Sequence, residues 1–148
     1  MSLQAKVMTA LKEAMKAKDK VALESLRAIK SALLLAQTSG ANEGMNESEE
    51  LKILQRLVKQ RKDSATIFME QGRADLAEPE LAQVKIIAQF LPAQMSEDDV
   101  KAVITEIISS TGATSMKDMG KVMGMASKQL AGKADGKTIS TIVKQLLS

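Results

Sequence analysis

The chain contains no cysteine, no histidine, no tryptophan and no tyrosine. Without cysteine there is no disulfide and no thiolate nucleophile. Without histidine there is no imidazole to serve as a general base, and a zinc centre of the Cys/His type is excluded with it. A disulfide-dependent secreted fold is excluded too, although lack of cysteine does not itself fix a compartment. Only two aromatic residues remain, both phenylalanine, so the chain has little with which to stack unpaired bases. Long apolar runs are missing as well: nothing approaches the roughly 20 residues that a membrane helix needs. Met1 to Lys20 has charges spread through it and no apolar centre, unlike an export signal. The expectation is a cytoplasmic protein without a membrane role.

What the chain does have is 148 residues, 45% of them apolar, ten methionines and a net charge of +3. That length holds one domain or two small ones. A core of Leu, Ile, Val, Ala and Met suits helix-on-helix packing, because methionine fills irregular gaps. No alternating strand pattern is present.

Helical spacing is present throughout. Leu3, Val7, Leu11 and Met15 mark a helix from about Leu3 to Lys16. Asp19 can cap a second, with Ala22, Leu26, Ile29 and Leu33 as its buried stripe. The consecutive Leu33, Leu34 and Leu35 predict burial on more than one side. Thr38 to Asn46 reads as a loop by composition. A long helix follows from about Glu47 to Glu70, with Leu54, Val58, Ala65 and Phe68 facing the core. Its acidic start suits the positive helix end. Gln71-Gly72 ends it. Asp75 or Glu78 opens the next helix, with Pro79 near its first turn. Leu91-Pro92 closes that one, since the residue before proline avoids helical backbone. Ala93 to Met95 is the best boundary in the chain. Ser96 with Asp99 caps a fifth helix that runs to about Ser110.

The final third carries the functional pattern. Ser115 with Asp118 reads as a capping box, predicting a helix from Met116. Met119, Val122, Met123, Ala126 and Leu130 form its buried face, and Lys117, Lys121 and Lys128 lie on the other, with Gly124 among them. Gly132 stops this helix. Asp135 caps the last, in which Ile139, Ile142, Val143 and Leu146 face inward while Lys137 and Lys144 lie away from the stripe, and Lys133 stands in the turn before it. Five lysines and one acid follow from Lys121 onward. Two readings fit them: an ordinary solvated surface, or a cradle for a polyanion. Gly120 and Gly124 likewise read either as a close helix contact, the simpler account, or as a place where a ligand could approach closely. A second basic stripe, Lys52, Arg56, Lys59 and Lys62, with no acid among them, reads as a solvated face first and as a second contact otherwise. Gly132 to Thr138 nearly matches a phosphate-binding loop, but it is one residue short and no strand precedes it. Asp98 and Asp99 are explained by a helix start. No catalytic constellation is found, and no cofactor or metal is expected.

Three stretches resemble one family in order and spacing. Lys12 to Lys20 with Leu26-Arg27 resembles the start of the YqeY-like family. Met119 to Met123 and Gly132 to Lys137 with Val143-Lys144 resemble its end, and Phe90-Leu91-Pro92 matches before the boundary. The same domain is similar to the C-terminal tail of the B subunit of glutamine-dependent tRNA amidotransferase, which helps hold the tRNA while the chemistry lies elsewhere. The resemblance implies an all-α fold, with a four-helix lobe over 1–92 and a smaller three-helix lobe over 96–148. It also implies tRNA association through Lys117, Lys121, Gly124, Lys128, Lys133, Lys137 and Lys144. A family-level label of carbon–nitrogen ligase with glutamine as amide donor comes by inheritance, without a catalytic residue here. DNA is not an expected partner. The alternative is a helical adaptor docking on a tRNA synthetase or an amidotransferase subunit.

Overall fold

The computed structural model describes residues 2–39 and 46–148. Its regular structure is all helical, with no strand among the described residues. In order it comprises α1 (Leu3–Ala17), α2 (Lys20–Thr38), α3 (Glu47–Glu70), α4 (Ala74–Ala88), α5 (Glu97–Thr111), a 3-10 turn (Met116–Asp118), α6 (Met119–Gln129) and α7 (Gly136–Leu147). No helix among the described residues is long and apolar enough to cross a membrane.

Side-chain oxygens open most of these helices by accepting from backbone N–H groups that have no partner within the first turn. Asp19 accepts from Ala22 N at 3.1 Å, Ser96 from Asp99 N at 3.1 Å and Asp135 from Thr138 N at 2.7 Å. Asn46 and Glu49 form a reciprocal capping box at the start of α3. Of the loop expected over Thr38 to Asn46, Thr38 closes α2, Asn46 caps α3, and residues 40–45 lie outside the described residues.

The chain divides into two compact units, Met1–Leu91 and Pro92–Ser148. In the first, α3 packs most extensively on α4, and α2 touches α1, α3 and α4. Val7, Leu26, Ile29, Leu33, Leu54 and Ile87 fill its core. In the second, α5, α6 and α7 contact one another pairwise around Val100, Ile104, Val122, Ala126, Leu130 and Val143.

Four local expectations are corrected. Leu33 is buried, but Leu34 and Leu35 are 56% and 69% exposed, because the buried positions of α2, Ala22, Ser25, Leu26, Ile29 and Leu33, form one stripe that does not include them. Phe68, expected to face the core, is only partly buried in the last turn of α3. α4 starts at Ala74, so Pro79 is its sixth residue rather than part of its first turn. Pro79 lacks the N–H that would bond the Asp75 carbonyl, and the extensive packing on α3 holds the helix through that gap. Ser115 does not form the capping box: its oxygen accepts from Lys117 N at 3.4 Å, while Asp118 reaches back to Thr114 N at 3.1 Å. Those bonds tighten Met116–Asp118 into a 3-10 turn, and the α-helix begins at Met119.

Candidate nucleic-acid interface

In the second unit charge is unevenly spread: α5 holds four of the six acids and Lys101, and Asp118 and Asp135 stand in the turns beside α6 and α7. The first turn of α5 carries Glu97, Asp98 and Asp99, and α6 and α7 contain no acid at all. Their cations follow from the same periodicity that builds the core. On α6, Val122 and Ala126 are fully buried, which turns Lys121, Gly124 and Lys128 to the opposite, exposed side. On α7, burial of Ile139, Ile142 and Val143 leaves Lys137 and Lys144 exposed, seven residues apart and thus in one row. Lys117 is exposed on the 3-10 turn.

Lys133 lies on the turn between α6 and α7, and that turn is tied down from outside. Met95 N donates to the Lys133 carbonyl at 2.9 Å, and the Gln94 amide donates to the Gly132 carbonyl at 2.7 Å. Gly132 takes φ +75°, the left-handed backbone that glycine adopts most readily. Gln94 and Met95 fell in the stretch expected as a bare boundary. Bonds across 38 residues leave no trace in local pattern, so nothing in the sequence singled them out.

None of Lys117, Lys121, Lys128, Lys133, Lys137 and Lys144 forms an ion pair among the described residues. Gly120 and Gly124 are exposed, and a Cβ built on either meets nothing within 4 Å. The simpler account of these glycines, close helix packing, is therefore wrong. They leave a strip of α6 without side chains, flanked by Lys121 and Lys128.

The stripe on α3 is different. Lys52, Arg56 and Lys62 are exposed, but Lys59 pairs with Asp63 at 2.8 Å. The neighbouring Arg61 is structural: it donates to Gln83 at 2.8 Å and to the Leu57 carbonyl at 3.0 Å. Gln83 in turn donates to Glu24 at 3.3 Å, linking α3, α4 and α2. Asp63 stands one residue beyond the acid-free stretch and breaks its charge.

Comparison with known proteins adds kinship to this geometry. A family model described as Yqey-like protein matches residues 4–147. "Altered inheritance of mitochondria protein 41, mitochondrial" from Kluyveromyces lactis is 29% identical over 131 residues, spanning 87% of this chain and 67% of the relative. Its namesake from Clavispora lusitaniae is 32% identical over 122 residues, 81% of this chain and 69% of the relative. A shorter match of 71 residues, 32% identical, joins 45% of this chain to 11% of a Glutamyl-tRNA(Gln) amidotransferase subunit from Thermococcus gammatolerans. The relatives named mitochondrial overturn the cytoplasmic expectation. That expectation rested on the lack of an export signal, which does not distinguish the cytoplasm from an organelle interior.

Proposed function

The chain belongs to the YqeY-like family, and from that membership we propose that it is a tRNA-associated accessory protein. In this reading residues 1–92 are a four-helix lobe and 96–148 a smaller three-helix lobe that carries the contact. Lys117, Lys121, Lys128, Lys133, Lys137 and Lys144 meet phosphates, and Gly124 lets the RNA backbone come close. The observation that carries the reading is on α6, where unpaired outward lysines flank glycines that face open space. Ammonium groups as point charges give affinity and salt dependence rather than base readout. With two Phe as the whole aromatic complement, a folded RNA recognised by shape fits better than a single strand. The similarity to an amidotransferase subunit whose name refers to tRNA(Gln) supports tRNA as the polyanion. The relatives' names point to a mitochondrial rather than a cytoplasmic setting. No residue is assigned a catalytic step.

The test is a titration of labelled tRNA against the protein and its Lys121→Glu/Lys137→Glu variant. The variant is expected to lose binding while its far-UV circular dichroism stays unchanged. Unchanged affinity moves the contact off these helices. A second reading, an adaptor docking on a tRNA synthetase or an amidotransferase subunit, is favoured by one observation: large apolar side chains of the first unit stand in solvent. Recovery of such a partner without any tRNA binding selects it.

A further inference from the structure

Two residues, Lys18 and Asp19, join α1 to α2, so the two helices pack side by side as an antiparallel pair. Between them is an open cleft of about 280 Å³, lined by Gln4, Val7, Met8, Lys30, Leu33 and Leu34. Val7 and Leu33, each 1% exposed, belong to the core and form its floor. Met8 and Leu34, 41% and 56% exposed, form its walls. Scattered apolar residues on a surface are ordinary. Two large ones lining one recess are a place for an inserted side chain.

Among the described residues, the charges that line or flank the recess have one sign. Lys30 lines it. Lys12 lies four residues after Met8, and Arg27 three before Lys30, so helical spacing puts both on the cleft side. None of the three has an ion-pair partner among the described residues. The acids of this hairpin are engaged or turned away. Asp19 caps α2, Glu24 accepts from Gln83 of α4, and Glu13, five residues from Met8, lies off that face.

We propose that the α1–α2 cleft is a docking site for an acidic amphipathic helix of a partner protein. An apolar side chain of that helix enters between Met8 and Leu34, and its carboxylates pair with Lys12, Arg27 and Lys30. Helix-in-groove recognition uses this combination of apolar anchor and flanking charge, and methionine adapts to the shape of the anchor. A bilayer is the poorer occupant, because the apolar floor is recessed rather than protruding. The inference rests on the adaptor reading for its context only, and it is independent of the lysines of α6 and α7.

The probe is a synthetic helical peptide with a leucine stripe at i, i+3, i+4 and i+7, glutamates on both flanks and a single tryptophan. The protein has no tryptophan, so the fluorescence reports the peptide alone. Saturable binding is expected, lost when lysines replace the glutamates. Leu34→Glu changes an exposed residue, and a thermal melt checks that the fold is intact. It is expected to weaken binding by about tenfold or more. Lys30→Glu is expected to weaken it less and to flatten its salt dependence. The Lys121→Glu/Lys137→Glu protein binds the peptide normally whether or not tRNA binds the second unit. Failure of the acidic peptide to bind, equal binding of both peptides, or unchanged affinity in Leu34→Glu overturns the proposal. So does Leu34-dependent binding to phosphatidylglycerol vesicles in place of the peptide, which makes the cleft a membrane contact.

Discussion

Gly120 and Gly124 are helical residues with nothing against them, and that has a cost. Glycine in a helix interior is less stable than alanine by about 0.5–1 kcal/mol, chiefly through backbone entropy. Gly124 is the sixth residue of α6 with open space around it, so Gly124→Ala should stabilise the protein by about that amount in urea unfolding, and Gly120→Ala, in the first turn, by less. If RNA backbone lies along this strip, the added methyl groups weaken tRNA binding at the same time. A gain in stability with unchanged binding removes Gly124 from the contact. Glu50 gives a second prediction. Burial raises its pKa above the ordinary 4.5, Glu47 adds to the rise and Lys6 opposes it. A carboxyl with a raised pKa in the folded state holds its proton more tightly there. Stability is therefore lost as pH climbs from the unfolded pKa through the folded one. Glu50→Gln should raise Tm at neutral pH, with the difference fading below the ordinary carboxyl range; melts across pH check it. The pattern of residues showed Gly124 beside Lys121 but left its purpose open. Only the neighbours, or their absence, decide between a packing glycine and an open one.

At the scale of elements, legibility followed the range of the interaction. Asp19, Ser96 and Asp135 were readable as caps because each bonds a backbone N–H three residues away. Asp135→Ala should cost about 1 kcal/mol by removing the side-chain cap of α7. Guanidine unfolding measures that loss, and Asp135→Asn should recover most of it. Ser115 misled because two short bonds competed for one turn and the 3-10 form satisfied both. The leucine run of α2 misled for another reason. Spacing gives the direction of one stripe, but not how many sides of a helix are covered. Packing of α1, α3 and α4 left Leu34 and Leu35 outside.

For the whole molecule, a net charge of +3 says little, while its distribution says more. Four of the six acids of the second unit lie on α5, with Asp118 and Asp135 in the turns beside α6 and α7, while all its lysines except Lys101 lie on α6, α7 and those turns. If those cations hold tRNA, log affinity should fall linearly with log salt, with a slope of about 0.7–0.9 per neutralised phosphate. Lys121→Glu/Lys137→Glu should flatten that slope, as filter binding at several salt concentrations can show. A slope near zero removes phosphates as the partner. By itself the sequence determined the helical class, most helix boundaries, most of the core stripes and the outward direction of the lysines. All of these follow from contacts within a turn or two and from the 3.6-residue period. Tertiary structure alone decided that Gln94 and Met95 pin the Lys133 turn, that Asp63 neutralises Lys59, that Gly120 and Gly124 are open, and that Leu34 walls a cleft. Each depends on which atoms from elsewhere in the chain arrive, or fail to arrive, at a given surface, and no local period records that.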